Sequence, residues 1–115
     1  MFLPEPSVNI WLYTQPVDMR KSFDGLIAVA TRQLHEKPTS GDLFVFINKR
    51  KTHMKVLYFE SSGYCLWYKR LEQGQFNYAS NTTDKRLLNW ASLKLLLDGI
   101  AIKKSRQYKR YCHPK

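Results

Sequence analysis

The chain has 115 residues, 19 of them Lys or Arg and 9 Asp or Glu, for a formal charge of +10. With 43% hydrophobic and 14% aromatic residues it is too apolar to be disordered, and its length fits one domain that buries about two-thirds of its unfolded surface without disulfides or structural metal. No apolar run nears the ~18 residues of a membrane span. The N-terminus has Pro4, Glu5 and Pro6 where a secretory signal needs basic and then apolar residues, and Cys65 and Cys112 share no metal-type spacing, so a reducing cytoplasm is the expected compartment.

Residues 9–13 are β-branched and aromatic and read as a first strand, ended by Pro16. Asp18 stands where a helix N-cap would, and the apolar stripe Phe23, Leu26, Ile27, Ala30 and Leu34 predicts an amphipathic helix that stops before Pro38. On this reading Arg20 and Lys21 fall in the first helical turn, where the macrodipole disfavours cations by a few tenths to about 1 kcal/mol; cations kept there at a cost point to an anionic ligand. Residues 42–48 place Leu43, Val45 and Ile47 on one face and Phe44 and Phe46 on the other, which predicts a central strand covered by helix on at least one side. A basic connection over 49–53 leads into a strand at 54–60. Ser61-Ser62-Gly63 turns the chain, 64–70 returns, and Glu72-Gln73-Gly74 turns it again into a short strand around 76–78. The polar residues 79–86 read as a mobile loop. Asn89 caps a last helix lined by Leu93, Leu96, Leu97 and Ile100 and ended by Gly99 in the left-handed conformation. The expected fold is α+β: an antiparallel meander of four or five strands with two packed helices, one domain over 1–102 and a basic tail over 103–115. The aromatics of the meander (Tyr58, Phe59, Tyr64, Trp67, Tyr68, Phe76, Tyr78) are assigned mainly to core packing, against an exposed face that docks a protein or stacks unpaired bases.

The cations are clustered. Beyond Ile102 the tail holds six basic residues and no acidic one, and the rest concentrate in Arg20-Lys21, Lys49-Arg50-Lys51 with His53 and Lys55, Lys69-Arg70 and Lys85-Arg86. A polyanion is the natural partner, because each neutralised phosphate releases condensed counterions. Tyr108 and Tyr111 add stacking surfaces in the tail. The candidate phosphate contacts are Arg20, Lys21, Lys49, Arg50, Lys51, Lys55, Lys69 and Arg70 in the domain, and Lys103, Lys104, Arg106, Lys109 and Arg110 in the tail. For a single member such as Lys69 or Arg70, pairing with Glu72 explains the charge equally well.

Four stretches resemble one family. Asp18-Met19-Arg20-Lys21-Ser22-Phe23-Asp24-Gly25-Leu26 is similar to its D-M-R-K-G-F-D-G-L, and residues 41–46 to its G-x-L-F-V-F. Residues 55–76 match its K-V-L-x-x-x-x-x-G-x-x-L-x-Y-K-R-L-E-x-G-x-F, and the last helix its L-x-x-L-L-x-G-I with a small offset. The family is that of the small TnpB accessory proteins of IS66-type insertion sequences, unrelated to the RNA-guided nuclease that shares the letters. Ser22 replaces the family's usual Gly, and the tail beyond Ile102 matches no pattern. The resemblance implies a role beside a separate, larger transposase that carries the acidic catalytic triad.

Metal-dependent strand transfer in this chain itself would need converging carboxylates. Asp18 and Asp24 are six residues apart and diverge on a helix, while Glu60 and Glu72 sit beside turns. Cys112-His113 lacks a second pair of soft ligands, His35 and His53 are lone, and no Gly-rich loop opens a helix. The expectation is a non-catalytic accessory factor in transposition that binds DNA through basic patches, with no metal, no cofactor, no small-molecule substrate and no membrane. The alternatives are an adaptor that binds the transposase without touching DNA, and an RNA-binding or regulatory module.

Overall fold

The computed structural model describes residues 8–78 and 83–99. The tail cations Lys103, Lys104, Arg106, Lys109 and Arg110, and also Ile100, lie outside the described residues.

The elements run β1 (Ile10–Tyr13), α1 (Phe23–Arg32), β2 (Leu43–Ile47), β3 (His53–Glu60), β4 (Gly63–Arg70), β5 (Lys85–Leu88) and α2 (Trp90–Leu97). They form one five-stranded sheet in the order β4-β3-β2-β1-β5. β2 is the central strand, and all five of its residues are buried. Strand alternation sends Leu43, Val45 and Ile47 into a core with Ile10, Leu12, Met54, Val56, Phe76 and the α2 leucines Leu93, Leu96 and Leu97. Phe44 and Phe46 face the other way, onto Leu26, Ala30, Leu34 and Leu57. One helix therefore covers each face, which explains why β2 reads as a continuous apolar run.

The expected all-antiparallel sheet is corrected to a mixed one. β2, β3 and β4 do form an antiparallel meander, but β1 pairs with β2 in parallel, Trp11 opposite Phe44. Parallel neighbours need a crossover, and α1 supplies it. No strand forms at 76–78: the Phe76 N–H donates to the Lys51 carbonyl at 2.7 Å and its ring is buried beneath the sheet. The fifth strand is instead β5, inside the segment expected to be a loop, and it pairs antiparallel with β1, Lys85 opposite Tyr13.

The helix boundaries follow side-chain chemistry. In α2 the Asn89 carboxamide oxygen accepts from the Ser92 N–H at 2.7 Å, as expected of a cap. Gly99 stops the helix at φ +68°, a conformation that favours glycine, and a Cβ there would crowd Leu71 Cδ1 at 3.0 Å. α1 starts later than expected. Its cap is Ser22, at φ −118° and without a side-chain cap bond, a conformation open to any L-residue, so the family's glycine is not needed there. Asp18 closes a tight turn of its own by accepting from the Arg20 N–H at 2.9 Å. Arg20 and Lys21 thus precede the helix, and the argument from its first-turn macrodipole does not apply to them.

Candidate nucleic-acid interface

The topology gathers the charge. β1 and β2 run parallel, so the β1–α1 connection with Asp18, Arg20 and Lys21 and the β2–β3 turn with Lys49, Arg50 and Lys51 leave the same end of the sheet. β4 finishes there with Lys69 and Arg70, opposite Met54 and His53, and β5 begins there with Lys85 beside Tyr13. The opposite end carries Asp42, whose carboxylate accepts from the Asn9 N–H and the Trp11 indole, and Glu60 at the end of β3. It holds none of the candidate cations of the described residues.

The β2–β3 turn is organised by Asn48. Its Oδ1 accepts the N–H groups of Thr52 and His53 at 2.9 and 3.0 Å, and its carbonyl accepts from the Lys51 N–H at 3.0 Å. Those bonds fix the amide orientation and turn Nδ2 toward His53 Nδ1, which makes Nδ1 an acceptor. Sequence reading passed over Asn48; the signal was an Asn immediately after an apolar strand and before a cationic turn. Lys51 pays a local strain at φ +62°, and its ammonium lies over the Tyr78 ring, 4.4 Å from the centroid. Lys49 and Arg50 are exposed at the tip.

The cations divide by use. Lys55 is only 7% exposed. Its Nζ donates to the carbonyls of Met19 and Lys21 at 2.8 and 2.7 Å and sits 4.9 Å from the Tyr68 ring centre, pinning the β1–α1 connection to the sheet. Lys69 Nζ donates to the Leu97 carbonyl at 2.7 Å, at the end of α2, and Lys85 bridges the Leu34 carbonyl and the Glu36 carboxylate under Trp11. Arg20 is highly exposed and grips Asp18, donating from Nε and Nη2, and these bonds hold the Asp18 carboxyl at about 2, below its ordinary 3.8. Arg70 pairs with Glu72 at 2.9 Å in solvent. Lys21, Lys49 and Arg50 are exposed and have no side-chain partner among the described residues.

Between the two basic connections lies a cleft of about 320 Å³, lined by Pro16, Val17, Asp18, Met19, Asn48, Lys49 and Arg50. The Val17 N–H bonds the Ile47 carbonyl at 3.0 Å and fixes its floor. The acids do not converge as a metal site would require: Asp18 and Glu72 are each engaged by an arginine, and Glu60 is at the far end of the sheet. Among the described residues no three His, Cys, Asp or Glu groups meet around a possible ion, and no helix is long and apolar enough to cross a membrane. Of the meander aromatics, Phe76 is buried, Tyr58, Trp67 and Tyr78 pack partly on the α2-side core and Tyr64 on the other, while Tyr68 is 53% exposed.

Comparison with known proteins places the chain. It is 34% identical over 94 residues to the uncharacterized protein y4hO of Sinorhizobium fredii (strain NBRC 101917 / NGR234), covering 82% of each. It is 40% identical over 76 residues to y4jC of the same strain, an alignment that covers 66% of this chain and 65%, just under two-thirds, of that relative. No solved structure matches. The model of the IS66 Orf2-like family spans residues 8–107, nearly the whole chain and every element around the basic end; the chain therefore belongs to that family, the TnpB accessory proteins of IS66-type insertion sequences.

Proposed function

We propose that this protein is a non-catalytic accessory factor in transposition that binds DNA through the basic end of its sheet and acts beside the transposase of the same element. The supporting observation is the collection of Arg20, Lys21, Lys49, Arg50 and Lys51 on two adjacent connections at one end of the fold. Phosphate contacts position a protein on DNA and carry no sequence information, so the binding is strong, salt-dependent and tolerant of sequence. Lys55 and Lys69 serve this surface from within, by holding backbone at the same end of the sheet, and Arg70 lies at its margin; Lys103, Lys104, Arg106, Lys109 and Arg110 of the tail are proposed as further phosphate contacts.

Fluorescence anisotropy on duplex DNA across a salt series tests the reading. Changing Lys49, Arg50 and Lys51 together to Ala should lower the logarithmic salt slope by about 2 to 3, at a slope of roughly 0.9 per phosphate contact. An unchanged slope removes the turn from the interface, and no binding by the parent protein removes DNA from the function.

One observation favours an adaptor role as well. The β4 edge of the sheet is eight residues long and carries Tyr64, Leu66, Trp67 and Tyr68, all at least partly exposed, whereas the β5 edge is four residues long and opens with Lys85 and Arg86. Long apolar edges recruit an added strand, and short charged ones repel it. Co-purification with the transposase that survives nuclease treatment and is lost on changing Leu66 and Tyr68 to Lys would establish that role.

A further inference from the structure

Building on the DNA-binding reading above, we infer that the cleft between the β1–α1 connection and the β2–β3 turn holds one unpaired nucleotide, so that the preferred ligand is a DNA end with a single-stranded extension rather than intact duplex. At about 320 Å³ the cleft is at the small end of ligand sites; its volume suits one base with part of its sugar better than a base pair. Its walls combine two chemistries. Pro16, Val17 and Met19 supply an apolar surface against which a base face would pack, and Lys49 and Arg50 of the β2–β3 turn also line the cleft, with Arg20 and Lys21 on the β1–α1 connection available to flanking phosphates. Duplex DNA can engage the rim cations, but its bases are paired and only the terminal pair exposes a face. An unpaired nucleotide uses both.

The amide and the carboxylate that line the cleft are already committed. Asn48 spends Oδ1 on two backbone N–H groups and Nδ2 on Thr52 and His53. Asp18 spends its carboxylate on Arg20. That leaves Lys49 and Arg50 as the uncommitted polar side chains of the lining; as mobile cations on an open rim they favour phosphate over a fixed base edge, so the cleft takes a base mainly through its face, as single-strand sites do. Lys55 is the positioning residue of this cleft: its two bonds to the Met19 and Lys21 carbonyls hold the β1–α1 connection against the sheet.

The test compares a blunt duplex with the same duplex carrying a three-nucleotide extension, at one salt concentration, with 2-aminopurine at the terminal unpaired position as an additional reporter. The parent protein should bind the extended end about fivefold or more tightly and change the 2-aminopurine emission. Met19→Asp, which places a carboxylate on the apolar wall, should abolish that preference and the emission change. The added negative charge lowers affinity for both DNAs, so the readout is the ratio of the two affinities within each protein, and circular dichroism should report an intact fold. Equal affinity for the two DNAs, with salt-dependent binding of both, overturns the cleft proposal and leaves the basic interface standing. A preference that persists in Met19→Asp also overturns it. Failure to bind either DNA overturns the underlying DNA-binding reading.

Discussion

An ammonium group offers three donors and one compact charge, and this fold spends three of them on its own backbone. Lys55, Lys69 and Lys85 each end on main-chain carbonyls. Replacing Lys55 by Met should cost about 2–3 kcal/mol in urea unfolding, since the Met19 and Lys21 carbonyls lose a charged donor that is itself buried, while Lys49→Ala at the exposed tip should stay within about 0.5 kcal/mol. Composition and spacing cannot separate these two kinds of lysine, because both stand beside strand ends in basic clusters; the distinction lies in whether a chain segment from elsewhere passes within reach. Asp18 shows the same limit. It reads as a helix cap, yet its oxygens go to Arg20, four residues ahead of the real cap. Its carboxyl should titrate at about 2 by NMR and move up toward 3.8 in Arg20→Ala. As the folded value lies below the ordinary one, the stabilising effect of the pair is complete above about 3.8 and disappears as pH falls through about 2. An Asp18 midpoint unmoved by the substitution would exclude the arginine as the cause.

Elements whose signals are local were legible, and those defined by distant partners were not. The buried β2 run, the β3–β4 hairpin and the capped α2 follow from periodicity and cap chemistry, and Asn89→Ala should destabilise the protein by about 1 kcal/mol in thermal unfolding. The parallel pairing of β1 was readable in principle: strand, amphipathic helix and a strand apolar on both faces describe a β-α-β unit. β5 was hidden because Lys85-Arg86 made its segment polar; the strand exists because β1 needs a partner on its free side. Lys51 at φ +62° gives a further test of the turn. Lys51→Gly should raise stability by about 0.5 kcal/mol, left-handed strain relieved less the added chain entropy of glycine, and should weaken DNA binding at the same time. A loss of stability would show that the cation–ring contact with Tyr78 outweighs the strain.

Over the whole molecule, net charge matters less than where it is placed. Scattered cations would bind polyanions in many orientations, whereas Arg20, Lys21, Lys49, Arg50, Lys51 and Arg70, among the described residues, stand at or just beyond the ends of β1, β2 and β4, at one end of the sheet. Hydrogen exchange with bound duplex should therefore protect residues 15–22 and 48–52 and leave 40–42 and 60–63 unchanged; uniform protection would indicate coating without orientation. The candidate site was partly legible, in that its residue types and turns were visible, but the convergence of two connections depends on the unforeseen parallel pair. The position of β1 has one more consequence. It lies between β2 and β5, so during synthesis this early strand waits with one side bare until residues 85–88 have left the ribosome, and a product terminated before Lys85 would carry an unprotected seam open to aggregation.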